Sequence, residues 1–162
     1  MIIRDAEDDD LPGILAIYNQ ILVASTAIYV YEPVALDERR AWRAARLARG
    51  FPVLVAGPPG DVQGFSSFGD WRTSPAYLHT VEHSVHVRED MRGKGLGRAL
   101  IEALLPRARA LGMHRIIGGI DADNAASIAL HRSLGFVEVG RFDQVGRKFD
   151  RWLDVVFMQR EP

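Results

Sequence analysis

Residues 90–100 read "DMRGKGLGRAL": three glycines and three basic side chains set directly ahead of a helical pattern. A loop with so little side chain and so much positive charge suits an anion, phosphate above all. Glycine lets bare N–H groups come close, and a helix N-terminus adds a favourable dipole. The common phosphate loops do not fit. A Walker A loop needs four residues between its glycines and then Gly-Lys-Ser/Thr. Here Lys94 follows Gly93 but Gly95 comes next, so the magnesium-binding hydroxyl is missing. A Gly-x-Gly-x-x-Gly fingerprint counted from Gly93 or Gly95 would need glycine where Arg98 or Leu100 stands. What remains is Arg92-x-x-Gly95-x-Gly97 between a strand and a helix, with Lys94 and Arg98 adding charge. A solvated glycine turn with surface arginines has the same composition.

The rest of the chain narrows the setting. Its 162 residues fit one domain, 1–162, large enough for a real core. Apolar residues make up 48% and charged residues 25%, the balance of an ordinary globular protein. The formal net charge of −1 supplies no global field toward nucleic acid or an anionic membrane. Without cysteine there is no disulfide, thiolate metal site or cysteine nucleophile. The acidic start and the lack of a membrane-length apolar run lead us to expect a cytoplasmic protein.

Strand and helix signals alternate. A short strand is expected at 2–4, then a helix capped by Asp8 or Asp9, with Pro12 in its first turn and Ile14, Ile17, Tyr18, Ile21 and Leu22 at helical spacing. A second helix runs 37–49 and ends at Gly50. "FPVLVA" (51–56) and "VQGFSSFGDW" (62–71) read as an antiparallel pair joined by a Gly-Pro turn. Residues 71–77 form a loop, and 78–87 a long strand. After the glycine loop comes a helix to about Leu111, in which Pro106 should cause a kink. "HRIIGGID" is a strand and "NAASIALHRSL" a helix closed by Gly135. Final strands at 136–141 and 152–160 flank a polar segment. The sum is a mixed α/β domain.

In the second helix motif, Asn124, Ser127 and His131 share one face at i, i+3 and i+7. They read either as an N-cap, a tolerated serine and a surface histidine, or as a helix edge lining a groove. The Gly118-Gly119 pair is a poor choice for a strand interior unless something approaches the backbone closely. Among His79, His83 and His86, the first two share a strand face and the third takes the other, which argues against a shared metal ion.

The glycine loop and "NAASIALHRSLGF" together resemble the GNAT superfamily of acyl-CoA N-acyltransferases. Further segments, "IRDAEDDDLPGILAIYN", "TVEHSVHV" and "VGRKFDRWLDVVFMQ", extend the resemblance nearly end to end. They point to its phosphinothricin and methionine sulfone acetyltransferase branch. The resemblance implies an α/β (α+β mixed-sheet) fold: a central, mostly antiparallel sheet splayed at the cofactor site and flanked by helices. It implies acetyl-CoA as co-substrate, with no metal, and transfer to the α-amine of a small amino-acid analogue such as phosphinothricin, methionine sulfone or methionine sulfoximine. Glu82 would be the base. His131 stands where many members carry a tyrosine that protonates the leaving thiolate. Val85, His86 and Val87 would meet the pantetheine arm. Arg92, Gly93, Lys94, Gly95, Leu96, Gly97 and Arg98 would hold the pyrophosphate, and Asn124 and Ser127 would line the groove. On the acceptor side, Arg72, Thr80, Lys148 and Arg151 would join Glu82, since cations suit a carboxylate and phosphinate or sulfone oxygens. The branch implies a homodimer, with no nucleic-acid or membrane partner. Two other readings stand beside this one. One is an acetyltransferase for a polyamine, aminoglycoside or protein N-terminus; the other is a non-catalytic acyl-CoA sensor.

Overall fold

A computed structural model describes residues 1–162. Its seven strands form one sheet in the order β1-β2-β3-β4-β5-β7-β6. The strands are β1 (Ile3–Asp5), β2 (Val53–Ala56), β3 (Gly64–Asp70), β4 (Thr80–Val87), β5 (Arg115–Asp121), β6 (Val137–Lys148) and β7 (Arg151–Arg160). All neighbours are antiparallel except β4 and β5. That parallel pair is joined by the crossover helix α3 (Leu96–Ala110), because parallel strands need a long connection. No helix is long and apolar enough to cross a membrane.

Two apolar layers sandwich the sheet. Leu96, Leu100, Ile101, Leu104 and Ala108 of α3 pack on Val81, Ile116, Phe136 and Met158. On the other face, Leu11, Ile14, Ile17, Ile21 and Leu22 of α1 (Leu11–Ala24) cover Val53, Val55 and Phe65. Trp42 of α2 (Leu36–Ala48) packs against that layer. Strand alternation divides β4 between the two faces. Val81, Val85 and Val87 look toward α3, whereas His86 meets Tyr18 and Phe65 on the α1 side. Glu82, in step with His86, shares the α1–α2 face.

The β4–β5 pairing stops early. Its register runs only Thr80–Arg115, Val81–Ile116 and Glu82–Ile117, although β4 continues to Val87 and β5 to Asp121. Beyond Glu82 the strands part. The edge of β4 left open can be read from its other side. Arg88 N–H donates to Gln63 and Thr80 C=O accepts from Trp71, both toward β3. Alternation therefore turns the N–H and C=O groups of His83, Val85 and Val87 toward the gap.

Several local expectations are corrected. Neither Asp8 nor Asp9 caps α1. Asp8–Asp10 form a 3-10 turn, and Asp10 is buried in an ion pair with Arg4 at 2.7 Å. The polar segment after 141 is strand, not loop: β6 continues to Lys148 with register shifts between Glu138 and Gly140 and between Phe142 and Gly146. Such bulges twist a ribbon without ending it. Phe149 and Asp150 close the hairpin with φ of 52° and 57°, a left-handed two-residue turn built without the usual Asn-Gly.

Candidate active site

Gly95 precedes α3 with φ +82°, and a side chain added there would meet no other part of the protein. The amides of Gly93, Lys94 and Gly95 donate to no backbone carbonyl. Those of Leu96, Gly97 and Arg98 open α3, where no preceding turn can accept them. A row of free N–H groups at a helix N-terminus is an anion cradle. Arg92 and Lys94 are exposed around it, and Arg98 donates to Ser133 at 2.6 Å. The cradle forms one end of a groove of about 840 Å³, which also takes in Val85, His86, Val87, Asn124 and Ser127. Asn124 Oδ1 accepts from Ser127 N at 3.1 Å and so caps α4 (Ala125–Ser133). Its amide NH₂ remains for the groove, so the capping and lining readings of this residue are compatible.

The Gly118-Gly119 pair is explained by what lies on each face. A Cβ on Gly118 would come within 3.0 Å of His83 Nε2 and 3.1 Å of His131 Nε2; one on Gly119 would come within 2.9 Å of Glu82 Oε1 and 3.1 Å of Phe157 Cε1.

On the Gly118 face the imidazoles of His83 and His131 stack, with their Nε2 atoms 3.1 Å apart. His131 Nδ1 lies 2.7 Å from the Ser127 carbonyl. A carbonyl only accepts, so Nδ1 carries the proton; His131 Nε2 then accepts and His83 Nε2–H donates. This corrects the expectation for His131. It is only 2% exposed, lies behind Ser127 and does not line the groove, and neither imidazole has a proton directed into it. Its spacing from Asn124 resembled that of a groove residue, but the partner that turns it inward, His83, is 48 positions away.

Burial, with the neighbouring His131 and His86 adding to it, depresses the His83 pKa to about 3. Burial likewise takes His86 to about 4, with Arg39 adding to it, and lowers His131 against the opposing Ser127 carbonyl. A histidine depressed in the folded state stabilises fully above its unfolded pKa near 6.5. It loses that contribution as pH falls, because only the unfolded chain gains the proton. His83 and His86 should each cost up to about 1.4 kcal/mol per pH unit below about 6.5, with His131 acting in the same direction. The urea midpoint should therefore drop steeply between pH 7 and pH 5, and less steeply in a His83→Leu/His131→Leu variant. An equal slope in both proteins would remove the pair as its source.

On the Gly119 face stands Glu82, half-buried and pushed above its ordinary pKa by burial, with Arg46 opposing. Arg46 comes from α2 and lies over Gly69, the register partner of Glu82; a methyl at Gly69 would overlap its guanidinium. Thr80 is on the same β4 face, and its carbonyl holds Trp71 N–H at 3.2 Å. Arg72 lies 5.4 Å over the Trp71 ring, exposed and without an ion pair. Glu82, Thr80 and Trp71, with Arg72 over the Trp71 ring, therefore gather at the paired end of β4, next to where the strands part.

Two predicted acceptor residues do not join them. The Lys148 ammonium is buried and donates to the carbonyls of Leu22, Ser25 and Ile28 at 2.6, 3.0 and 2.6 Å. It fastens the α1–α2 loop to the β6–β7 hairpin and faces no ligand. Arg151 pairs with Asp123 at 2.8 Å on the groove side. The residues missed from sequence are Arg46, Trp71 and Phe157, to which Gly69 and Gly119 are the nearest signal.

A loop of free amides thus lies beside a strand gap, with the half-buried Glu82 carboxylate on the neighbouring face. Residues 12–136 match the acetyltransferase (GNAT) family model. The chain belongs to the GNAT acetyltransferase family. It is an N-acetyltransferase. It is 55% identical, over 97% of its length and 92% of the relative's, to the L-methionine sulfoximine/L-methionine sulfone acetyltransferase of Pseudomonas paraeruginosa (strain DSM 24068 / PA7). It is 39% identical to the phosphinothricin N-acetyltransferase of Alcaligenes faecalis, over 98% of this chain and 81% of that one. Among solved structures, the acetyltransferase YncA of Salmonella typhimurium, determined with its cofactor acetyl-CoA, superposes with a TM-score of 0.96. The two are 47% identical over 99% of this chain and 92% of that one.

Proposed function

We propose that this GNAT enzyme moves an acetyl group from acetyl-CoA to the α-amine of a small amino-acid analogue of the phosphinothricin, methionine sulfone or methionine sulfoximine type. The observation that carries the proposal is the gap after Glu82, with the anion cradle on one side and the half-buried carboxylate on the other. The amides of Gly93 to Arg98, with Arg92 and Lys94, would hold the pyrophosphate. The free backbone edge at Val85 and Val87 would hold the pantetheine amides, and the Asn124 amide would meet the same arm from α4. The bound thioester supplies an acyl carbon with a good leaving group. Glu82 takes the amine proton as nitrogen attacks; its raised pKa brings it nearer the amine's working pH, which favours a general base. With His131 turned away, water at the groove is the proton source for the departing thiolate. The relatives named for methionine sulfoximine, methionine sulfone and phosphinothricin support the acceptor class. Arg72 is the cation placed to receive the acceptor's oxygens. The same reading includes a homodimer, for which exposed Val137, Val139 and Val145 on edge strand β6 offer an apolar face.

Thiol release from acetyl-CoA across an amine panel tests this. Methionine sulfone, methionine sulfoximine or phosphinothricin should react well above methionine, because a site built to donate hydrogen bonds discriminates against an acceptor that leaves its donors unpaired. Spermidine outrunning all of them, or equal rates for methionine and its sulfone, would overturn the acceptor assignment. Binding without release from any amine would make the protein a sensor.

A further inference from the structure

The sheet face that carries Glu82 is bare to an unusual degree. Glu82 pairs with Gly69 on β3, while Gly119 of β5 lies beside its carboxylate. Gly119 pairs with Phe157 on β7, and Phe157 pairs with Gly140 on β6. Across five strands, that band presents one carboxylate and one ring over a floor of three glycines. Glycine weakens a strand interior, so its repetition here points to something that lies close on the backbone. Gly119 is exposed, and Gly140 has nothing within 4 Å of its Cβ position. The Arg46 guanidinium covers the Gly69 end, so the part of the trough open to solvent is the stretch over Gly119 and Gly140.

Its walls are aromatic. Trp71 and Phe142 each meet Phe157 edge-on, with centroids 5.2 and 5.7 Å away and interplanar angles of 81° and 84°. Phe157 and the Glu82 carboxylate both lie within 3.1 Å of the same point above Gly119. An amine at Glu82 would thus place its next carbons against these rings. Aromatic surface suits C–H groups and sulfur, and the cation-attracting face of Trp71 is already taken by Arg72.

We propose that Phe157 and Trp71 form the seat for the acceptor's side chain, selecting α-amines that carry an unbranched, largely apolar chain. The inference rests on the proposed α-amine acetylation. The amine sits at Glu82, the methylenes run along Phe157 and Trp71, and polar atoms at the chain's end reach the Arg72 guanidinium at the outer edge of the Trp71 ring.

The test compares kcat/KM for methionine sulfone with that for alanine, which shares the amine and carboxylate but lacks the chain. The proteins are wild type, Phe157→Leu and Trp71→Leu. Trp71→Leu sits outside the strands and so guards against misfolding of the β7 variant. The sulfone-to-alanine ratio should fall on the order of tenfold in each variant, with the affinity for acetyl-CoA retained. An unchanged ratio, whether both acceptors slow together or neither does, would overturn the seat while leaving α-amine acetylation standing. A wild-type enzyme that acetylates neither acceptor would remove the proposed function, and the seat with it.

Discussion

Glu82→Gln should lower turnover on the order of 10²–10⁴-fold, the usual cost of losing a general base. The change preserves shape and hydrogen-bonding reach while removing basicity. The local packing tolerates it: the neighbours are glycines 69 and 119, the Phe157 ring edge and the Arg46 guanidinium. The loss should fall on turnover rather than on acetyl-CoA affinity, since the anion cradle lies across the strand gap. It should shrink at high pH, where free amine is abundant and needs no base. In the wild type, activity should fall as pH drops through the raised Glu82 pKa, because the protonated carboxyl cannot accept. A variant within a few-fold of wild type at neutral pH would return Glu82 to a structural role, as the partner of Arg46.

The glycine loop ahead of α3 was legible in the sequence because it is local. Arg92 to Arg98 carry their meaning in consecutive residues, and their position between a strand and a helix follows from periodicity alone. Asn124 was legible as a cap because capping reaches only three residues forward. The alternation of β4 correctly set His86 on the opposite face from His83. The family resemblance then gave Glu82 its role, which spacing could not, because a carboxylate on a strand looks the same whether it faces solvent or a gap between strands.

What failed depended on contacts between distant segments. Lys148 reads as an exposed cation beside a hairpin, and only the return of the α1–α2 loop surrounds it with three carbonyls. Tyr31 strengthens the same junction by donating to Arg147 O at 2.7 Å. Arg151 was misplaced because the β6–β7 ribbon was cut short at 141: with no element assigned to the polar segment, the side of the sheet to which the hairpin returns is undefined. The ribbon's bulges hide its period-two pattern, and Phe149-Asp150 is not a recognisable turn dipeptide. Phe157 carries no mark in the sequence that separates it from the other apolar residues of its strand. That its register partners are glycines on both neighbouring strands, with its ring against Gly119, follows only from the register.

That register makes Gly119→Val the most direct way to close the acceptor side without touching the donor side. Valine suits a strand better than glycine, so the fold should be kept and its melting temperature held or raised. Its Cβ, however, would lie 2.9 Å from Glu82 Oε1 and 3.1 Å from the Phe157 ring. The two cannot both stay in place, and the added methyl groups fill the floor on which the amine must stand. Displacing a reacting group by about 1 Å can cost on the order of 10²-fold, so kcat/KM for every amine acceptor should fall by at least about that much. Acetyl-CoA should still bind, because Gly119 does not line the groove that holds the anion cradle. This separates the variant from Glu82→Gln: high pH rescues a missing base but cannot rescue a blocked floor. A folded Gly119→Val enzyme that keeps acceptor kcat/KM within about fivefold of wild type would show that the amine approaches Glu82 from elsewhere, and the trough would lose its place in the reaction.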